Sequence, residues 1–226
     1  KFLEEIRPEK SVNFGGSLNK EFNWLDNKGS LIVDYYRTNF KNQLVVDMET
    51  YNLLHFYNLK GQSFSNSFQA EVNYSPKQRF DIKLAYRNVD IKNDMRAENG
   101  EYTLLPKMFV NRDRLLLNMA YATKWNKWKY DFTWHWNGKR RILNSDHGHV
   151  HTIESVAIYA PSFSNFNAQI TKTFKNWELY LGGENLGNFK QKDPILNPQD
   201  PFGSHFDASL VWGPVAGRVI YSGIRW

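Results

Sequence analysis

Apolar and polar residues alternate with a period of two along most of the chain. The clearest run sets Trp128, Tyr130, Phe132, Trp134 and Trp136 against Lys129, Asp131, Thr133, His135 and Asn137. Successive residues of a strand point to opposite faces, so this run predicts a β-strand with one strongly aromatic face. The same pattern predicts nine strands, at about Glu9–Phe22, Ser30–Met48, Leu54–Tyr74, Arg79–Asp90, Arg112–Thr123, Trp128–Arg141, Phe163–Phe174, Trp177–Phe189 and Ser209–Trp226. Turn chemistry separates them: Asp26, Asn27 and Gly29 favour tight bends, and Pro76 cannot continue a ladder interior. No apolar run approaches the ~20 residues of a spanning helix.

The connections alternate in length. Four are short turns, whereas Ile91–Phe109, Ile142–Ser162 and Lys190–Ala208 are long, and the last holds Pro194, Pro198 and Pro201. Short turns at one end and long loops at the other are the habit of outer-membrane barrels. Trp24, Trp125, Trp128 and Trp177 all lie at or beside short turns, which predicts an aromatic girdle at the periplasmic edge. Five large aromatics on one strand face exceed what a packed core uses. They predict that Leu115, Leu117, Met119, Tyr130, Phe132 and Trp134 face lipid, with Asp131, Thr133 and His135 facing a lumen.

Several stretches resemble a known family. Gly182-Gly183-Glu184-Asn185-Leu186-Gly187-Asn188 resembles the G-x-E-N-L-x-N strand near the end of TonB-dependent outer-membrane receptors. Asp193-Pro194-Ile195-Leu196, Asp200-Pro201-Phe202-Gly203, Phe206-Asp207-Ala208-Ser209 and Val211-Trp212-Gly213-Pro214 are similar to the Bacteroidetes-type tail of that family. Arg7-Pro8-Glu9-Lys10-Ser11, Asp34-Tyr35-Tyr36-Arg37-Thr38-Asn39-Phe40 and Phe56-Tyr57-Asn58-Leu59 resemble its earlier strand openings. The resemblance implies an all-β fold: residues 1–226 as the C-terminal nine or so antiparallel strands of a 22-stranded transmembrane β-barrel. The plug and the N-terminal strands would lie outside this sequence. It also implies TonB-dependent uptake of a scarce ligand, such as a metal chelate, another small nutrient, or a glycan or peptide. The implied partners are outer-membrane lipid, the TonB energy-coupling protein reached through the N-terminal part, and the remaining strands and plug. The implied location is the outer membrane of a Gram-negative bacterium. Trp226 would be the terminal aromatic read as an assembly signal.

Composition fits a barrel. Aromatic content is 16%, with eight Trp and twelve Tyr, and mean hydropathy is −0.62. A polar average suits a sheet in which only every second residue meets lipid. Cysteine is absent, which excludes a disulfide framework and Cys-ligated metal. The formal charge is +6, but no Lys/Arg run is dense enough for nucleic acid, and Lys139-Arg140-Arg141 reads as a solvated group. The start, Lys1-Phe2-Leu3-Glu4-Glu5, lacks the apolar core of an export signal, so the sequence is expected to be part of a longer protein.

Candidate chemistry is sparse. No phosphate loop, nucleophile elbow or paired-carboxylate geometry is visible, which predicts a protein without catalytic residues and without a resident cofactor. Asp146-His147-Gly148-His149-Val150-His151 puts three imidazoles on one side of an extended segment, a donor set that suits a divalent metal or a metal chelate as cargo; a solvated loop and a purification-like origin are the other readings. Asn185 and Asn188 are expected to bond locally where the strand ends. The alternatives to a transporter are a soluble carbohydrate-binding β-sandwich, which would use the aromatics as sugar platforms, and a secreted β-rich hydrolase.

Overall fold

The computed structural model describes residues 6–47, 54–96, 102–142, 159–195, 197–203, 206–208 and 210–226. The expected metal cluster at Asp146, His147, His149 and His151 lies outside the described residues.

Nine strands form one antiparallel meander: β1 (Lys10–Trp24), β2 (Asn27–Lys41), β5 (Ser63–Lys77), β6 (Phe80–Arg96), β8 (Asp113–Ala122), β9 (Trp128–Asn137), β12 (Phe163–Thr173), β13 (Glu178–Glu184) and β14 (Val219–Arg225). Each pairs with its neighbour in chain order, and β7 (Tyr102–Pro106) adds to β6 beyond its pairing with β8. Two short hairpins stand apart from the sheet: β3 (Leu44–Asp47) with β4 (His55–Asn58), and β10 (Arg140–Arg141) with β11 (Tyr159–Ala160). The sheet stays open among the described residues, with β1 and β14 at its two ends.

Register turns the alternation of each strand into two continuous surfaces. From Phe132, one row of cross-strand partners runs through Met119, Ile82, Tyr74, Gly29 and Phe22, and in the other direction through Ala168, Gly183 and Ile220. One residue further, the row from Thr133 runs through Asn118, Lys83, Asn73, Ser30 and Glu21. A slip of one residue would exchange the two faces, so the pattern itself fixes the register.

Nothing in the described chain covers the apolar face. Leu18, Leu84, Ile170, Leu181, Ile220 and Ile224 on that face are exposed. The β-sandwich reading does not fit, since among the described residues the other sheets are only two-stranded hairpins. A contiguous apolar face of this extent belongs in lipid. No helix among the described residues is long and apolar enough to cross a membrane. The buried cluster that does form, Val45, Tyr57, Leu59 and Met95 with Leu105 against it, sits beyond the sheet where β3, β4, β6 and β7 meet.

The short-turn end is built from left-handed residues. Leu25 (φ 48°) and Asp26 (φ 60°) close β1 onto β2, the twist a two-residue hairpin needs. Arg79 (φ 65°) closes β5 onto β6, and the register shift between Tyr74 and Lys77 absorbs Pro76, in keeping with proline's confinement to irregular ladder positions.

Several expected boundaries are corrected at the other end. The expected strand Ser30–Met48 divides into β2 and β3, and Leu54–Tyr74 into β4 and β5. The expected loop Ile91–Phe109 contains the end of β6 and all of β7. Strand eight stops at Glu184 rather than Phe189, and strand nine begins at Val219 rather than Ser209. Beyond the apolar band lipid no longer demands alternation, and the chain bends where local bonds allow.

Candidate functional site

The polar face carries several small groups of bonded side chains from β5 to β14. Lys83 and Glu71 form an ion pair at 2.8 Å, and Asn73 donates to Glu71 at 2.9 Å. Asn118 donates to Thr133 at 2.9 Å, Gln169 to Thr171 at 3.1 Å and Tyr221 to Gln169 at 3.1 Å. Lys129 donates to Glu178 at 2.6 Å and Thr173 to the same oxygen at 3.0 Å, with Arg225 at 3.6 Å from the other. These bonds hold long polar side chains flat against the sheet, as the wall of a water-filled lumen requires.

The exception to this pairing lies toward the long-loop end. Arg87 on β6 and Arg114 on β8 are direct cross-strand partners. Like charges directly opposite destabilise a sheet, yet neither guanidinium has an ion pair among the described residues; Arg114 reaches Asn111 at 3.4 Å. Both line a recess of about 290 Å³ with Gln69, Glu71, Lys83 and His135. Arg140 stands close by on β10. Burial, and then the Arg114 charge, hold its guanidinium below the ordinary value, and its Nε is buried without a hydrogen-bond acceptor. A second depression, of about 640 Å³ at the long-loop rim, brings Lys92, Lys107, Arg112, Lys139, Arg140 and Arg141 together with Asp90 and Asp113; Lys92, Asp90 and Asp113 come from the apolar-face parity of β6 and β8, and Lys92 pairs with Asp90 at 3.8 Å. Six cations facing two carboxylates make this rim a positive field.

Sequence reasoning missed this cluster. From sequence Lys139-Arg140-Arg141 reads as a solvated group, and nothing there singles out Arg87 or Arg114. The only available signal was that the lumen-facing parity of two separate segments carries Arg at their long-loop ends, and their register was needed to align them. The tryptophans lie at or beside turns. Trp24 ends β1, Trp125 sits in the short 3₁₀ turn Lys124–Asn126, Trp128 opens β9, and Trp177 precedes β13. They join a larger aromatic row that includes Tyr74, Phe80, Tyr121 and Tyr130. Trp24 packs on Tyr74 at 5.4 Å, Tyr121 stacks on Tyr130 at 6.2 Å, Phe174 on Trp177 at 3.9 Å, and Lys172 lies 4.3 Å over the Trp128 ring. Trp226 is 96% exposed. Ser222 interrupts the apolar row of β14, while its neighbour Tyr221 lies on the polar face. Among the described residues no group of three His, Asp or Glu is disposed to hold a metal.

Asn185 and Asn188 bond locally, as expected. Both take left-handed backbone (φ 49° and 51°). The Asn185 side chain accepts from the Phe189 amide at 3.0 Å and donates to its carbonyl at 2.8 Å, while Asn188 accepts from the Arg218 amide at 3.0 Å. The motif thus ends β13 and returns the chain to β14.

A single apolar-banded sheet with a polar lumen face and long loops at one end defines part of a transmembrane β-barrel. Residues 4–186 match the family described as TonB dependent receptor-like, beta-barrel, and the chain belongs to that family. Members are transporters rather than enzymes, and they lie in the outer membrane of Gram-negative bacteria. Among solved structures the chain resembles the copper transporter OprC (14% identity, 98% of this chain and 31% of that one, TM-score 0.65). It also resembles the FrpB iron transporter of Neisseria meningitidis (11%, 99% and 31%, TM-score 0.62). A third likeness is to the ferripyoverdine receptor of the Pseudomonas aeruginosa outer membrane (12%, 82% and 24%, TM-score 0.58). At these identities the likeness is one of fold. The chain spans 24–31% of the length of these receptors. No curated protein is significantly similar to it.

Proposed function

We propose that this chain is the C-terminal portion of a 22-stranded receptor that imports an anionic metal chelate across the outer membrane, driven by TonB through a plug and N-terminal part outside these residues. The observation that carries the choice of cargo is the Arg87–Arg114 pair, with Arg140 near Arg114: among the described residues neither Arg87 nor Arg114 has an ion pair, and the Glu71 carboxylate in their recess is taken by Lys83. An isolated lumen wall would be more stable without that arrangement. An anion seated between the guanidiniums converts repulsion into charge-assisted hydrogen bonds, each worth about 1.5–3 kcal/mol. The solved structures it resembles include a ferripyoverdine receptor, a ferric enterobactin receptor and a copper transporter, which supports a metal-bearing cargo. The Bacteroidetes-type reading of the tail rests on its motifs alone.

The test is equilibrium binding to the intact receptor of two ferric chelates, an anionic tricatecholate and an uncharged trihydroxamate, in the native protein and in Arg87→Gln/Arg114→Gln. Losing one or two charge-assisted bonds should weaken the anionic chelate ~10–100-fold and leave the neutral one little changed. Equal loss for both chelates, or none for either, removes the case for an anionic cargo.

A further inference from the structure

The recess beside Arg87 and Arg114 contains a histidine that the cation pair does not account for. His135 on β9 stands opposite Leu116 on β8, and its row continues through Ala85 on β6 to Glu71 on β5. Leu116 and Ala85 give that row an uncharged floor, with His135 at one side and Glu71 at the other. Arg87 and Arg114 occupy the next lumen row toward the long loops, and Lys83 the next row toward the short turns. All of these residues line the same recess. Its one carboxylate, Glu71, is held by Lys83 at 2.8 Å.

His135 is exposed to the lumen, and no hydrogen bond or ion pair holds it among the described residues. Directly across from it on β12 is Asn165, whose Oδ1 is buried without a hydrogen-bond donor. The lumen-facing neighbours of Asn165, Phe163 and Asn167, are uncharged, and the next acid on β9, Asp131, lies four residues toward the short turns. A neutral imidazole has one N–H to give, whereas a protonated one donates from both nitrogens. Only the protonated ring can therefore serve Asn165 Oδ1 and a ligand oxygen together. In the empty recess Arg87, Arg114 and Lys83 oppose a further positive charge. An anion seated against the guanidiniums removes that opposition and favours the imidazolium.

We propose that His135 is a ligand-binding residue that takes up a proton as the anionic cargo binds, donating one ring N–H to Asn165 Oδ1 and the other to an oxygen of the cargo. This rests on the anionic-chelate reading and adds to it. The cargo presents a further acceptor oxygen toward β9, besides those that meet Arg87 and Arg114. Because histidine changes charge between pH ~5 and ~8, and because binding takes up the proton, the cargo binds more tightly as pH falls through that range. The bound anion in turn holds the proton on His135.

The test is calorimetric titration of the ferric tricatecholate and the uncharged trihydroxamate into the intact receptor at pH ~8 and ~6. Buffers of different ionisation enthalpy count the protons taken up. Native protein is compared with H135Q, which keeps a donor but cannot be charged, and with N165L, which removes the acceptor. Proton exchange by the chelate itself is common to the three proteins and drops out of the comparison. With the tricatecholate, H135Q should take up about one proton fewer than native, and the native-to-H135Q affinity ratio should rise ~5–10-fold from the higher pH to the lower. N165L should also take up less than native, and the trihydroxamate should show neither difference. Equal proton uptake in native and H135Q, or in native and N165L, would overturn the proposal; the anionic reading would still stand if Arg87→Gln/Arg114→Gln loses the tricatecholate selectively. If that double variant binds both chelates as native does, the anionic reading falls and this inference falls with it.

Discussion

Arg87 and Arg114 face each other directly across β6 and β8 on the polar side of the sheet, at a position where a carboxylate opposite either one would be the stabilising choice. The polar wall nearer the short turns makes that choice: Lys83 meets Glu71, and Lys129 meets Glu178. The contrast separates wall from site, because paired charges hold the lumen open while unpaired ones are left to a ligand. It also yields a stability prediction that a purely structural role would not. Arg114→Gln should leave the ligand-free receptor equally stable or raise it by up to ~1 kcal/mol, the size of a cross-strand term. Urea unfolding in detergent reads this, and a loss of stability would mean the two arginines are structural.

The two faces should respond oppositely to charge. Phe132 and Thr133 are neighbours on β9, one in the apolar row and one in the polar row. Phe132→Arg should cost ~2–4 kcal/mol in a reversible folding assay, as a charge near the bilayer midplane does, and Thr133→Arg far less. Equal costs would show that the assignment of faces is wrong.

The end of β13 depends on one side chain. Asn185 is buried, left-handed and bonded to both Phe189 and Ala216. Asn185→Gly keeps the backbone conformation but loses the side-chain bonds, for a cost of about 1–2 kcal/mol. Asn185→Ala adds the strain of a left-handed alanine, about 1 kcal/mol more. Thermal unfolding should rank native above Gly above Ala, and an alanine variant as stable as the glycine one would locate the requirement elsewhere.

The histidine run, known here from sequence alone, makes a pH prediction. Neutral imidazole is the metal ligand, and a free histidine gains its proton as pH falls through ~6.5. If His147, His149 and His151 capture metal at the surface, calorimetric titration of Zn²⁺ into the intact receptor should show affinity lost below that pH. His→Ala at all three positions should abolish the same component at neutral pH. Matching isotherms for the two proteins would leave the run as solvated loop.

How far the sequence reached depends on what constrains each stretch. Within the apolar band, lipid on one side and water on the other force alternation, so nine strands, their order and their faces could be read from Trp128–Asn137 and its counterparts. Above the band that constraint lapses. Val45, Tyr57, Leu59 and Met95 still look like strand residues, but they turn inward on one another in a small cluster, and the long strands expected there break in two.

By itself, then, the sequence determined the membrane-spanning sheet, its aromatic short-turn edge and the local bonding of Asn185 and Asn188, because each rests on residues near in the chain or on a period of two. Only the tertiary structure decided which residue stands opposite which. Arg87 and Arg114 are twenty-seven positions apart, and Arg37 and Phe64 equally far; their meeting depends on register, which is the sum of every turn, bulge and loop between them. Charge clusters made this way have no signature in any one segment, and the Arg87–Arg114 pair is of that kind.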